Sequence, residues 1–318
     1  MSVISPHRRS DRVLERCLVA ALLLFAGACG DAEYTGPSAG PAARSPAPAV
    51  AAPPGIVFAS FALSPSQLNT VHTGIVGPTS PSAVLGYLSQ VKSKGGRVIL
   101  KLSGGDANMK NADNTFNLTK WKQSIDRYRT INLDPYINDG TIVAHFLVDE
   151  PHFPSRWGGQ VIPQATVEQI AAYSKARWPT LPTVVNAPAH WLAGVSVTYV
   201  HLDAAWSIYR ASASSNPTQW ARNQVDKAKL KGLGLVGGLN VLDGGDGSSG
   251  FHGNYPSTWA MSASELRTYG TALLSQAHVC AFGIWRYQSA YYGRPDVKAA
   301  LADLAASARS HAKTSCRQ

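Results

Sequence analysis

Residues 55–318 of this 318-residue chain are predicted to form an α/β domain of the (β/α)8, TIM-like barrel type. Apolar, β-branched runs alternate with helical patterns from residue 56 to residue 310. Several of these runs stop in polar or acidic residues, as strands do where a parallel barrel presents its ligand-binding face. The rival is a doubly wound open sheet, and its glycine signatures are missing. No GxGxxG follows the first strand and no phosphate loop occurs. Gly232-x-Gly234-x-x-Gly237-Gly238 leads into a strand, which fits close backbone packing instead.

The elements follow in order. Residues 56–61 read as the first strand. Residues 83–94 read as a helix with Val84, Leu85, Leu88 and Val91 on one face, ended by Gly95-Gly96. Residues 97–102 form a second strand running into Ser103-Gly104-Gly105-Asp106, and a helix spans residues 118–128. The strand over 142–148 is followed by a helix at 166–177 and a short strand at 183–186. Residues 199–203 lead into Ala204-Ala205-Trp206 as the next strand, and 217–231 are helical. A Gly-rich strand over 234–242 ends in Asp243-Gly244-Gly245-Asp246, followed by a helix at 262–276. A strand at 280–285 and a helix at 296–310 close the chain. Seven strands are visible, so an eighth, hidden one is expected near residues 74–76.

The first 54 residues read as targeting sequence and spacer. Arg8, Arg9, Arg12 and Arg16 form a basic region ahead of an apolar run over residues 18–28, which is short for a bilayer span. It ends in Ala26-Gly27-Ala28-Cys29, which resembles a bacterial lipoprotein signal (residues 1–28), although Ala26 stands where leucine is usual. That resemblance implies cleavage before Cys29, lipidation of Cys29 and anchoring to a membrane of the cell envelope. An ordinary secretory signal cut nearby is the alternative, and either one implies export. Residues 29–54 are a Pro/Ala-rich segment expected to be an extended, disordered tether.

The domain carries 24 of the 29 Lys+Arg and 15 of the 19 Asp+Glu, a net +9 that favours anionic polymers or surfaces. No Lys/Arg-rich run with interleaved aromatics occurs, so nucleic acid is not an expected partner. Cys17 leaves with the signal. In an oxidising compartment Cys280 and Cys316 could pair, stapling the last helix to the last strand; the alternative is two unlinked thiols. No CxxC or Cys/His cluster points to zinc, and no metal or cofactor is expected.

Function is most legible at residues 145–151, His-Phe-Leu-Val-Asp-Glu-Pro. Ile142, Val143, Ala144, Phe146, Leu147 and Val148 have the continuous apolarity of a strand buried on both faces. Such a strand does not ordinarily run into two carboxylates, because an unpaired buried charge is expensive. Asp149 and Glu150 are therefore candidates for acid/base work. The alternative is structural: Asp149 caps the next turn and Glu150 pairs with an arginine.

In a barrel the strand ends converge on one face. They would bring together Ser60/Phe61, residues 103–106, Asp149/Glu150, Asn186, Asp203 with Trp206, Asn240 with Asp243, and residues 285–288. Carboxylates, amides and indole rings suit sugars, whose hydroxyls need paired hydrogen bonds and whose apolar faces stack on aromatics. All eight tryptophans fall in the domain. Each one taken alone fits core packing as readily.

Phe146-Leu147-Val148-Asp149-Glu150-Pro151 resembles the strand-terminal Asp-Glu-Pro of several (β/α)8 glycoside-hydrolase-like families. Ile284-Trp285-Arg286-Tyr287 resembles the aromatic-bearing last strand of such barrels. The resemblance implies that Glu150 is the proton donor. Asp149 would orient it or bind a substrate hydroxyl, since adjacent strand residues point to opposite faces. Glycoside hydrolysis also requires a second carboxylate. Asp243 and Asp203 are the candidates, and Asp203 could instead be a buried structural acid. The commonest retaining barrels carry a late-strand glutamate, and none occurs at 234–246 or 280–292.

Other chemistries fit less well. No Gly-x-Ser-x-Gly marks a serine hydrolase, and Gly247-Ser248-Ser249-Gly250 reads as loop. Metal-dependent hydrolysis through His145, Asp149, Glu150 and His152 would need a mid-strand histidine that reads as core. The expected function is a glycosidase with Glu150 as acid and Asp243 as base or nucleophile. Trp206, Trp285 and Tyr287 would hold the sugar, with Asn186, Asn240 and a rim residue, His152, as further contacts. A non-catalytic, surface glycan-binding barrel is the alternative.

Overall fold

The computed structural model describes residues 54–312 and 315–317, so the signal, the tether and Cys29 lie outside the described residues. Eight parallel strands close a barrel in sequential order, with β8 paired to β1. They are β1 (Val57–Phe61), β2 (Gly74–Pro78), β3 (Arg97–Lys101), β4 (Ile142–Asp149), β5 (Thr183–Asn186), β6 (Ala204–Tyr209), β7 (Gly234–Asn240) and β8 (Val279–Trp285). The hidden strand near residue 75 is β2. Around them run α1 (Val84–Ser93), α2 (Leu118–Asp126), α3 (Asp134–Asn138), α4 (Gln164–Lys175), α5 (Ala189–Ala193), α6 (Pro217–Leu230), α7 (Ala263–Leu274), α8 (Ser289–Tyr292) and α9 (Pro295–Ser310).

The long helices bury one stripe each against the barrel. In α4 that stripe is Val167, Ile170, Ala171 and Ser174. In α1 it is Val84, Leu88 and Val91, while Leu85 faces outward. Asn117 and Asn216 cap α2 and α6 through their side chains, and Ser262 with Glu265 forms a capping box on α7.

One strand differs from expectation. Residues 199–203 are not extended, because Glu168 gathers the backbone N–H groups of Val200, His201 and Leu202 onto one carboxylate. Three amides converging on one acceptor require a turn. β6 therefore starts at Ala204, and Asp203 precedes it at the amino end of the barrel.

The barrel interior is filled by a separate apolar cluster that includes Val57, Phe61, Ile99, Phe146, Val236 and Trp206. Trp206 is fully buried, its ring stacked on Phe61 at 5.1 Å and tilted against Phe146 at 5.5 Å. It is a core residue, which corrects its expected role in holding a sugar. Its indole fits only because two neighbours lack side chains. A Cβ on Gly283 would lie 2.0 Å from Trp206 Cζ2, and one on Gly238 2.6 Å from Nε1. Cys280 and Cys316 are joined by a disulfide that ties the chain terminus to β8. Closing its 36-residue loop is worth about 3–4 kcal/mol in the chain-entropy picture.

Gly283→Ala should destabilise the domain by roughly 1–3 kcal/mol through overpacking, read as a lower urea midpoint. Adding Trp206→Phe, which vacates the clashing ring edge, should make the pair less than additive.

Candidate active site

β4 is apolar until its last residue, Asp149, which is buried at the carboxyl end of the barrel. A register shift in the β4–β5 ladder between Phe146 and Asp149 brings Asn186 alongside, and Asn186 Nδ2 donates to Asp149 Oδ1 at 2.6 Å. The chain then leaves the strand abruptly. Glu150 has φ +46°, a left-handed conformation that costs an L-residue about 1–2 kcal/mol. Neighbours impose it. The Glu150 N–H donates to the Asn186 carbonyl, and its own carbonyl accepts from the Phe153 N–H and from Trp157 Nε1. Trp157, buried beneath this turn, thus serves to position Glu150.

The left-handed turn overturns the expectation that Asp149 and Glu150 face apart. Both carboxylates reach the guanidinium of Arg156, which follows in the turn Pro154–Arg156. Arg156 Nη2 donates to Asp149 Oδ2 at 2.6 Å and Nη1 to Glu150 Oε2 at 2.7 Å. Arg156 Nε donates to Asp106 Oδ2 at 2.6 Å, and Lys101 Nζ completes the group at 3.2 Å from Asp106 Oδ1. Three carboxylates face two cations, leaving one negative charge uncompensated. Glu150 is the most exposed of the three acids. Its pKa is raised, first by burial and then by Asp149, with Arg156 pulling the other way. Burial pushes Asp106 upward too, but Lys101 and Arg156 outweigh it and hold that carboxyl below its usual range.

Two hollows flank this cluster and share Asp149, Arg156, Trp285 and Arg286. The smaller, about 330 Å³, is floored by Phe61 and Phe146 and reaches Lys101 and Asp106. The larger, about 550 Å³, is lined by Glu150, Asn186, Asn240, Asp243, Arg210 and Tyr255, among others. Trp285 stands edge-on to Phe61 at 4.8 Å, so the interior aromatic stack surfaces between the two hollows.

Asp243 lies just past the end of β7 and organises the long loop before α7. Its Oδ1 accepts from the Asn254 N–H and Thr258 Oγ1, and its Oδ2 from Asn254 Nδ2. Gly253 passes so close that a Cβ there would meet Leu242 O at 2.1 Å. Asn240, the last residue of β7, accepts from the Asp243 N–H at 3.3 Å.

Other expected site residues fall elsewhere. Asp203 is a structural acid at the opposite end of the barrel, where its Oδ2 takes hydrogen bonds from Thr183 N and Oγ1 and an ion pair from Lys175. Tyr287 lines neither hollow and packs on His72 and Tyr292. His152 lines neither hollow and packs at a tilt against Phe153 and Trp191, and burial lowers its pKa to about 4. His145 bonds Ser174 and is held neutral by burial, its pKa lowered to about 3. Among the described residues no group of three His, Cys, Asp or Glu is placed to hold a metal ion. Arg156, Lys101, Arg210 and Arg286 were missed as site residues. An arginine partner for Glu150 was foreseeable as a type, but only the turn identifies Arg156.

No protein-family model matches the chain, and no curated protein matches it. Solved structures do resemble it in fold. The catalytic domain of the major endoglucanase from Xanthomonas campestris pv. campestris superimposes with a TM-score of 0.50 at 10% identity, covering 80% of this chain and 94% of that one. An exo-β-1,4-mannosidase from Opitutaceae bacterium strain TAV5 gives 0.53 at 9% identity over 80% of this chain and 59% of its own. A β-D-glucuronidase from Dictyoglomus thermophilum gives 0.49 at 12% identity, and the chain spans 44% of that protein's length. The likeness is one of fold, the closed eight-stranded (β/α)8 barrel.

Arg156→Gln should cost roughly 3–5 kcal/mol at neutral pH, because it leaves Asp149 and Glu150 without a cation and Asp106 with Lys101 alone. The deficit should shrink on acidification, since the stranded acids become neutral once protonated. Urea midpoints of both proteins at pH 7 and at about pH 4 check this.

Proposed function

We propose that the protein hydrolyses glycosidic bonds, with Glu150 as general acid and Asp243 as the second carboxylate. One observation carries the reading: a carboxyl group of raised pKa is held by a constrained turn in the wall of a cavity that Asp243 also lines. A raised pKa keeps the acid protonated at a pH where it can donate. In the step, the Glu150 proton passes to the glycosidic oxygen as its bond to the anomeric carbon breaks. Asp243 takes the proton of the attacking water, which supplies the new C–O bond. Asn240, in place of a glutamate at the end of β7, supports the water-mediated course over a covalent intermediate. Trp285 and Tyr255 offer aromatic surface to the sugar, and Asn186 and Asp149 orient the acid.

Export fits this reading. A Cys280–Cys316 disulfide suits an oxidising compartment, and lipidation of Cys29 would hold the domain at the cell envelope through the 29–54 tether. The alternative, a glycan-binding barrel without catalysis, draws support from the way the Asn254 and Thr258 contacts engage Asp243 in loop structure.

On a polysaccharide panel, wild type should release reducing ends, and Glu150→Gln should lose at least about a hundredfold in rate while melting as wild type does. The rate should fall as pH rises through the Glu150 titration, because the acid form is the active one. If nothing is cleaved while a glycan binds both proteins equally, catalysis is rejected and the binding reading stands.

A further inference from the structure

The charges around the larger hollow and in the cluster beside it are unequally matched. Lys101 and Arg156 are engaged by Asp106, Asp149 and Glu150, while Asp243 is held by amide and hydroxyl donors. Arg210 and Arg286 also line the hollow, and among the described residues neither guanidinium has a carboxylate or hydrogen-bond partner. Arg210 directly follows the end of β6 and Arg286 directly follows the end of β8. They therefore bracket the end of β7, where Asn240 and Asp243 stand.

Their backbones are anchored although their side chains are not. The Ala211 N–H donates to Gly244 O at 2.8 Å, next to Arg210. On either side of Arg286, the Trp285 carbonyl accepts from the Val241 N–H at 2.9 Å and the Tyr287 N–H donates to Phe61 O at 2.8 Å. Two fixed roots with free guanidinium heads in a cleft suit planar or tetrahedral oxyanions, which an arginine fork binds in bidentate fashion. The net +9 of the domain would concentrate an anionic polymer around it.

Resting on the reading of this cleft as a carbohydrate site, we propose that it takes an anionic glycan. Ring carboxylates or sulfates of the glycan dock on Arg210 and Arg286 and set its register relative to Glu150. These two residues determine specificity; the proton transfer belongs to Glu150.

The test is the affinity of the full-length protein, as wild type and as Glu150→Gln to prevent turnover. Polygalacturonate and alginate probe for uronates, and chondroitin sulfate and dextran sulfate for sulfates. Dextran and methyl-esterified polygalacturonan are the neutral partners. One anionic class should bind at least about tenfold tighter than its neutral partner. Arg210→Gln and Arg286→Gln should each weaken that binding by about tenfold or more, and the double variant should fall to the neutral level. Lys229→Gln, which removes the same charge from an exposed position on α6, should bind as wild type does. Equal loss in Lys229→Gln, equal binding of neutral glycans, or no anionic binding would overturn the proposal. Anionic selectivity without cleavage rejects only hydrolysis. Cleavage of neutral glycans that is indifferent to the two arginines rejects only this inference.

Discussion

The Arg156 guanidinium is the contact on which the carboxyl face depends. Its three donor directions are each occupied by a different acid, one from the loop after β3, one from the end of β4 and one from the turn that follows. A single cation that serves three carboxylates neutralises none of them completely. The residual negative charge is therefore built in, and burial together with the neighbouring Asp149 carboxylate raises the pKa of Glu150. A dedicated arginine for Glu150 alone would have lowered its pKa and removed its value as an acid.

Below that cluster, packing limits what the aromatics can do. Trp206, Phe61 and Phe146 fill the barrel, and the glycines on β7 and β8 exist to admit the indole. Close packing of this kind buries the Trp206 ring entirely, and the aromatic stack reaches the hollows only through Phe61, Phe146 and Trp285. The barrel thus supplies a rigid floor, and recognition is left to the strand ends and to the loop that Asp243 holds in place.

The sequence alone determined the barrel, most strand and helix positions, and the placing of Asp149 and Glu150 at a strand end. Local periodicity and turn residues carry that information, and a buried parallel strand that stops in acids is visible without coordinates. β2 was the faintest strand because Gly74 and Gly77 dilute its apolar run, and residues 199–203 misled because their amides answer to Glu168, more than thirty residues away. The tertiary structure alone decided that Asp203 belongs to the far end of the barrel and that Trp206 is core. It alone brought Asp149 and Glu150 together on Arg156 and placed Arg210 and Arg286, unpartnered among the described residues, in the hollow that Asp243 lines. Those facts depend on a left-handed turn, on strand register and on distances between residues remote in the chain, and none of these is written in local composition or spacing.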